Sequence, residues 1–169
     1  MSRPIAANSE SDGWHRKTHE LWKKDHDRLA FRRFLAAAKR GDSSAQLMLG
    51  YFYDYGIGVP RKRSVALHWY KRAYRQGHSG GANNAGTIYR DAGDFQKALI
   101  WFERSISLSD SSANWEIARM YFRQRNDIAK TILYLKRVIQ AKPGIQVSVW
   151  EHEAATRLLW RLQRRAIAV

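Results

Sequence analysis

The residues that could carry out chemistry in this chain are few, and three histidines near the N-terminus come first. His15 and His19 are spaced i, i+4, which would place two imidazoles on one helix face, and His26 follows. Such a pair can ligate a metal ion, but no third ligand stands at a convincing spacing. The chain has no Cys, which excludes thiolate metal sites, disulfides and cysteine nucleophiles. We therefore expect neither a metal nor another cofactor.

The sequence also lacks a recognisable arrangement for catalysis. Only 15 residues are acidic, and no pair of them suggests a general acid with a general base. The segment Gly56-Ile57-Gly58 is followed by Val-Pro and not by Gly-Lys-Ser/Thr, so it predicts a turn rather than a phosphate-binding loop. We therefore predict a protein that is not an enzyme.

Positive charge is the most pronounced property of the composition, because 30 Lys+Arg oppose 15 Asp+Glu and the formal net charge is +15. Such an excess favours an acidic protein, a nucleic acid or another anionic surface as partner. From Tyr55 to Arg90 the chain has no acidic residue. We predict a solvated outer face here, with binding of a phosphate backbone as the alternative. This basic patch comprises Arg61, Lys62, Arg63, Lys71, Arg72 and Arg75.

No stretch of the sequence has the length of a signal peptide's apolar core or of a membrane span. Together with the lack of Cys, this favours a soluble, cytoplasmic protein that does not enter a membrane. The first dozen residues are small and polar, so we expect residues 1–12 to be disordered.

Pairs of short amphipathic helices would position these side chains. Three tyrosines mark the first helix of each pair. Each has one small residue three positions before it and another eight positions before it, which lets two helices approach closely. These tyrosines are Tyr53, Tyr89 and Tyr121. The second helices align independently on Trp69, Trp101 and Tyr134, at spacings of 32 and 33 residues. Each second helix repeats an i, i+3, i+4, i+7 pattern, which is typical of one buried helix face, and the spacing predicts a helical repeat.

Two further helices flank these pairs. The segment AFRRFLAAAKRG, which contains Phe34, repeats the pattern of a second helix 36 residues before Tyr70. After Pro143 a last helix has Val147, Trp150, Ala154, Leu158 and Leu162 on one side, while Arg157, Arg161, Arg164 and Arg165 lie largely off that side. We predict that this helix caps the array, and a basic helix that binds an acidic partner is the alternative.

The stretch from residue 45 to residue 77 resembles a Sel-one-like repeat, a variant of the tetratricopeptide repeat. The residues that carry the resemblance are Ala45, Leu49, Gly50, Tyr53, Gly56, Gly58, Val59, Pro60, Ala66, Trp69, Tyr70, Ala73 and Gly77. The next two repeats lack the Gly-x-Gly-Val insertion and are more similar to plain tetratricopeptide repeats. The resemblance covers about residues 30–141. It implies an all-α fold, a right-handed α-solenoid whose concave face binds other proteins.

The predicted organisation follows from these patterns. We expect a disordered N-terminus over 1–12 and N-terminal helices with a partial repeat over 13–41. Three repeats would occupy 42–141, divided as 42–77, 78–108 and 109–141, and a C-terminal capping helix would span 145–166.

The resemblance also implies where a partner would bind, because in this family the first helix of each hairpin lines the groove. Aromatic residues and Arg dominate interface energies, and Arg side chains can bind carboxylates. The alternative is that Trp115 packs under the neighbouring hairpin and the arginines form a solvated face. The implied partner-binding positions are Tyr51, Asp54, Tyr55, Asn83, Thr87, Arg90, Trp115, Arg119, Phe122 and Arg123.

These observations lead to a functional hypothesis. We predict a non-catalytic adaptor or scaffold, a monomer or homodimer, that binds an acidic protein or peptide in a groove lined by aromatic residues and Arg. Its similarity to small bacterial repeat proteins suggests a narrower hypothesis, an immunity protein that acts as antidote to a bacterial toxin. Nucleic-acid binding through the basic patch is the alternative, and a steep weakening with salt would identify it.

Overall fold

The computed structural model describes residues 27–167, and the regular elements in this range are helices, apart from one isolated bridge between Pro143 and Val147. A π-helical turn, Tyr121–Arg125, directly continues the sixth helix. The predicted all-α fold class is confirmed for these residues. The helices are α1 (Asp27–Lys39), α2 (Ser43–Tyr55), α3 (Arg63–Arg75), α4 (Ser79–Asp91), α5 (Phe95–Ser107), α6 (Ala113–Met120), α7 (Ile128–Gln140) and α8 (Val149–Ile167).

Aspartate side chains begin three of these helices. The carboxylate of Asp42 accepts a hydrogen bond from the amide of Ala45 at 2.7 Å, and Asp94 and Asp127 repeat this contact at α5 and α7. Each such cap satisfies an amide that the first helical turn leaves without a partner and contributes about 1 kcal/mol. Short helices with strong start signals therefore follow directly from the sequence.

The chain divides into two compact units, Met1–Trp69 and Tyr70–Val169, so the border lies within α3. In a helical repeat each helix contacts mainly its sequence neighbours, which is why a border can fall inside a helix. The first unit has its own core, in which the rings of Phe34 on α1 and Phe52 on α2 lie 5.6 Å apart. Apolar side chains of the loop after α2, Ile57 and Val59, pack against this core.

The core of the second unit is larger and draws on α5, α6, α7 and α8. Gly86 on α4 makes the close approach of α5 possible, because a Cβ atom there would lie 2.7 Å from the ring of Phe102. Gly81 does the same against α3, where a Cβ atom would lie 2.4 Å from the carbonyl oxygen of Tyr70. The small residues that the alignment singled out therefore lie where two helices meet.

Helix α8 packs on the second unit through a face that differs from the predicted one. Ala155 and Leu162 are buried in the core, and Leu158 packs against it, but Trp150 is 60% exposed. The prediction that Trp150 belongs to the buried side was wrong. At 3.6 residues per turn, Trp150 lies about 140° around the helix from Ala155, so it cannot share that face.

Several predictions lie outside the described residues. These are the disordered N-terminus over 1–12, the first helix expected within 13–41, and the histidines His15, His19 and His26. The predicted borders of the repeats and of the capping helix stay predictions. In the part of the chain that the structure describes, no helix has both the length and the apolar character needed to cross a membrane.

Candidate partner-binding site

A cavity of about 240 Å³ opens beside α4, α6 and the π-helical turn. We call it the arginine cavity. It brings together three of the predicted partner-binding residues, Arg90, Arg119 and Arg123, one from each of these elements. Its lining comprises Arg90, Asp91, Arg119, Met120, Arg123 and Gln124.

Two carboxylates hold two of these arginines in place. Glu116 on α6 accepts hydrogen bonds from Arg90 across the helix pair and from Arg119, the latter at 3.1 Å. Asp91 accepts from both Nε and Nη2 of Arg90, at 3.1 and 2.8 Å. The guanidinium of Arg90 is thus a fixed group that links α4 to α6.

The environment of Arg90 keeps it charged. Its partial burial alone would lower its pKa, but the hydrogen bonds and charges of Asp91 and Glu116 outweigh that effect and raise the pKa above its ordinary value. Arg90 therefore serves as a permanent cation between two acidic side chains, and three of its five N–H donors are used within the protein.

Arg123 differs from the other two arginines of the cavity. It is exposed on the π-helical turn, and no carboxylate within residues 27–167 forms an ion pair with it. Three guanidinium groups against the two carboxylates of Asp91 and Glu116 leave the cavity with a net charge of +1. The arrangement can therefore attract a carboxylate and bind it through charge-assisted hydrogen bonds.

A one-residue insertion explains the π-helical turn. In the second repeat the amide of Asp94 donates to the carbonyl of Tyr89, five residues back, at 3.0 Å. In the third repeat the amide of Asp127 donates to the carbonyl of Tyr121, six residues back, at 3.1 Å. The extra residue is absorbed by the wider π turn, so that both the tyrosine and the capping aspartate keep their places. Such turns are frequent at functional sites.

The sequence contains a signal for this turn. The first-helix tyrosines Tyr89 and Tyr121 are 32 residues apart, whereas the second-helix aromatics Trp101 and Tyr134 are 33 apart. The difference places one additional residue inside the third hairpin. Phe122 lies apart from the arginine cavity and lines a different cavity beside α8.

The structure corrects the prediction for Asp54. This residue is only 5% exposed, and its carboxylate accepts from Arg63 Nε at 3.1 Å. Its backbone carbonyl accepts from Arg61 Nε at 2.7 Å. A carboxylate this buried must be paired, so Asp54 stabilises the loop between α2 and α3 and is not open to a partner.

The structure also corrects the prediction for Trp115. It is 6% exposed and belongs to the core of the second unit, where the ring of Trp150 meets it edge-on at 5.7 Å. The guanidinium of Arg119 lies 6.0 Å from its centroid. Trp115 thus packs as the alternative interpretation supposed, because α6 needs a large apolar residue at this position of the core.

The remaining predicted positions are more accessible. Asn83 on α4 donates to the hydroxyl of Ser112 at 3.4 Å, and Thr87 is half-buried. In the first unit, the rings of Tyr51 and Tyr55 lie 4.3 Å apart, and Tyr55 is strongly exposed. A role of these residues in binding stays a prediction.

The basic patch is partly engaged within the protein. Lys71 donates to the hydroxyl of Tyr89 at 3.1 Å and lies 5.5 Å from the ring centroid of Trp101. Arg61 and Arg63 make the contacts with Asp54 described above. Lys62 and Arg75 are exposed, and Arg72 is half-buried. A role of the patch in phosphate binding stays a prediction. Within residues 27–167 no three His, Asp or Glu side chains are grouped so that they could hold a metal ion.

Comparison with known families identifies two repeats. The Sel1 repeat family model matches residues 43–78 and 84–110. A putative sel1-like repeat-containing protein of Acanthamoeba polyphaga mimivirus is 30% identical over 86 residues, which are 51% of this chain and 16% of that protein. An uncharacterized Sel1-like repeat-containing protein of Schizosaccharomyces pombe is 44% identical over 55 residues, 32% of this chain and 8% of that protein.

A third relative is the ERAD-associated E3 ubiquitin-protein ligase component HRD3 of Candida glabrata, 28% identical over 96 residues. That match covers 52% of this chain and 12% of HRD3. The chain thus spans less than a fifth of the length of each of these three relatives.

Solved structures show the same fold. The Sel1 repeat protein from Oxalobacter formigenes has a TM-score of 0.58 at 20% identity, over 72% of this chain and 51% of that one. A protective antigen of uropathogenic Escherichia coli strains, which displays an SLR fold, has a TM-score of 0.63 at 19% identity, over 82% and 34%. An immunity protein from Pseudomonas aeruginosa has a TM-score of only 0.39 at 14% identity, over 95% and 84%, and so low a score supports no shared function.

Proposed function

Because residues 43–78 and 84–110 match the Sel1 repeat family, we propose that this chain is a non-catalytic protein–protein interaction module that binds an acidic segment of its partner at the arginine cavity. The observation that carries the proposal is the state of Arg123. It lies exposed at a cavity of net positive charge, whereas Glu116 and Asp91 hold Arg90. Arg119 shares Glu116 and keeps other donors for a second acceptor.

The chemistry of the cavity favours a carboxylate over a neutral group. A guanidinium presents donors in a planar fork that matches two carboxylate oxygens, so Arg123 supplies orientation as well as charge. The partly buried pair of Arg90 and Glu116 keeps the neighbouring wall rigid, which lowers the entropic cost of binding. An acidic side chain of the partner would therefore lie between Arg119 and Arg123.

The relatives support an interaction role in general terms. HRD3 is named as a component of an E3 ubiquitin-protein ligase, which agrees with an interaction role. For the present chain the acidic partner is inferred from the arginine cavity alone. An immunity-type antidote is a narrower form of the proposal, in which the partner is a toxin. A cytoplasmic location and a monomeric or homodimeric state stay predictions.

The proposal is tested by capture of proteins from the source lysate with tagged chain at moderate salt, with and without nuclease. We compare wild type with Arg123→Glu and with Lys136→Glu, a matched charge reversal at an exposed residue of α7 that does not line the cavity. We expect a protein band that survives nuclease, is lost with Arg123→Glu and is kept with Lys136→Glu.

Two outcomes would contradict the proposal. Equal capture by wild type and Arg123→Glu would exclude the arginine cavity. Capture that disappears with nuclease and weakens steeply with salt would favour the nucleic-acid alternative, because counterions are released when phosphates are bound. If the expected band is found, its identity decides between a scaffold and an antidote.

A further inference from the structure

Two further cavities lie along α8, on residues that do not line the arginine cavity. One, of about 310 Å³, lies between the π-helical turn and α8. The other, of about 340 Å³, lies further along α8. Both include Trp160 and Arg161, and Trp160 is 55% exposed. We call the two cavities together the Trp160 pocket. It comprises Phe122, Thr156, Arg157, Leu158, Trp160, Arg161, Leu162 and Arg164.

The Trp160 pocket has an apolar floor and a basic rim. Phe122, Leu158 and Leu162 supply aromatic and aliphatic surface from two elements. Arg164 lies over the ring of Trp160, with its guanidinium carbon 4.3 Å from the ring centroid. An exposed Trp that borders an apolar cavity and is flanked by Arg has the composition of an interface centre, where these residue types dominate binding energy.

The charge of the rim decides among the possible occupants. Arg157 is paired with Glu153 at 3.4 Å, but within residues 27–167 neither Arg161 nor Arg164 is ion-paired with a carboxylate. A second copy of this chain that docked by the same face would bring these arginines against their own counterparts, and like charges at an interface oppose docking. An acidic partner would instead satisfy them.

The floor of the pocket argues for a protein partner over a nucleic acid. Bases stack on aromatic faces, but neither phosphates nor bases gain specifically from the aliphatic side chains of Leu158 and Leu162, which suit an apolar side chain of a protein. We propose that the Trp160 pocket binds an apolar side chain that is flanked by acidic residues in a segment of a partner protein. This contact goes beyond the proposed function, since it uses a different kind of anchor and none of the residues that line the arginine cavity.

The experiment follows the indole N–H signals of ¹⁵N-labelled full-length protein by NMR, because they report on each Trp separately. The probe is a synthetic peptide in which one phenylalanine is flanked on each side by three glutamates. Its matched control replaces the phenylalanine with alanine, and Trp160→Phe assigns the Trp160 signal. The indole of Trp150 is an internal control, because Trp150 is on the same helix and exposed but does not line the pocket.

We expect the phenylalanine peptide to shift the Trp160 signal and to leave the Trp150 signal in place. The alanine peptide should bind there about tenfold more weakly, because a methyl group removes much less apolar surface from water than a phenyl ring does. The double variant Arg161→Glu with Arg164→Glu should weaken binding to a similar extent, while Lys136→Glu should not. Both substituted residues are exposed, so the fold should be retained, and circular dichroism checks this.

Three results would overturn the inference. Equal shifts with the alanine peptide, or no shift with either peptide, would exclude an apolar anchor. A stronger shift with a single-stranded oligonucleotide would make the pocket a base-stacking site. A Trp160 shift that grows with protein concentration and no peptide would assign the pocket to a second copy. Arg123→Glu leaves the pocket intact, so failure of this inference is distinguishable from failure at the arginine cavity.

Discussion

The guanidinium of Arg90 on α4 is ion-paired with the carboxylate of Glu116 on α6. The pair joins α4 to α6, and its Arg90 lines the arginine cavity. Because Glu116 also accepts from Arg119, its single negative charge restrains two cations that would otherwise be available to an acidic partner.

Replacement of Glu116 by Gln should therefore lower the stability of the fold and raise the affinity for an acidic partner. We expect the free energy of unfolding to fall by about 1 kcal/mol, because charge-assisted hydrogen bonds become neutral ones. The net charge of the cavity rises from +1 to +2, so affinity for a polyglutamate peptide should rise severalfold. Urea unfolding and calorimetric titration measure the two effects, with Glu103→Gln at an exposed position of α5 as control. A loss of affinity would mean that Glu116 instead positions the arginines for binding.

Substitutions at Trp115 test its place in the core. Its buried indole Nε1 has no hydrogen-bond partner among residues 27–167, so Trp115→Phe loses no such bond and should cost less than about 1.5 kcal/mol. Trp115→Ala leaves a cavity and should cost about 3–5 kcal/mol. Urea unfolding gives both values, and peptide binding by Trp115→Phe should be unchanged. If Trp115→Phe lost peptide binding while its stability was unchanged, Trp115 would belong to the partner-binding surface after all.

Replacement of Gly81 or Gly86 by alanine should lower the free energy of unfolding, and the loss should be larger at Gly81. At Gly81 the new Cβ would meet the backbone of Tyr70 and Tyr74, at 2.4 and 2.8 Å, and backbone cannot rotate away. At Gly86 it would meet the ring of Phe102 at 2.7 Å, which can shift. We expect losses of about 3 kcal/mol at Gly81 and about 1–2 kcal/mol at Gly86 by thermal or urea unfolding.

The control for these glycines is Gly93→Asn. Gly93 has no other heavy atom within 4 Å of an added Cβ, and its φ of +78° suits Asn among the residues with a side chain. It should remain close to wild-type stability. If Gly81→Ala were as stable as wild type, the expected clash would be absent. The gain in helix propensity from alanine could then offset any remaining cost, and α3 and α4 would not be in close contact at this point.

His78 should make stability depend on pH. Burial lowers its pKa below the ordinary value of 6.5, so the folded state binds fewer protons than the unfolded state in this range. His78 therefore costs no stability above pH 6.5. Below that pH the free energy of unfolding declines as the pH falls through the lowered pKa of His78. Protonation also places a cation at the N-terminus of α4, where the helix dipole disfavours it.

His78→Gln should flatten this decline. The measurement is the free energy of unfolding in urea at about pH 7.5 and about pH 5, on either side of the titration. The same substitution at the exposed His68 is the matched control and should leave the decline as in wild type. An unchanged slope in His78→Gln would show that other groups cause the acid sensitivity.

Much of the fold could be predicted because its signals are local. Helix starts at Asp42 and Asp94, and the small residues at Gly81 and Gly86, can be recognised from neighbours in sequence and from the repeat itself. The candidate site was less predictable. The spacing of the groove positions predicted that Arg90, Arg119 and Arg123 belong to one binding site. It gave no information on which carboxylates pair with them.

The sequence by itself determined an array of paired helices, since periodicity, capping residues and repeat spacing depend only on the order of residues along the chain. Only the tertiary structure decided which side chains remain accessible. Asp54 and Trp115 occupy groove positions by count, yet the first is paired with Arg63 and the second is buried beside α8. Accessibility depends on contacts between distant residues, and the neighbouring residues Phe122 and Arg123 line different cavities.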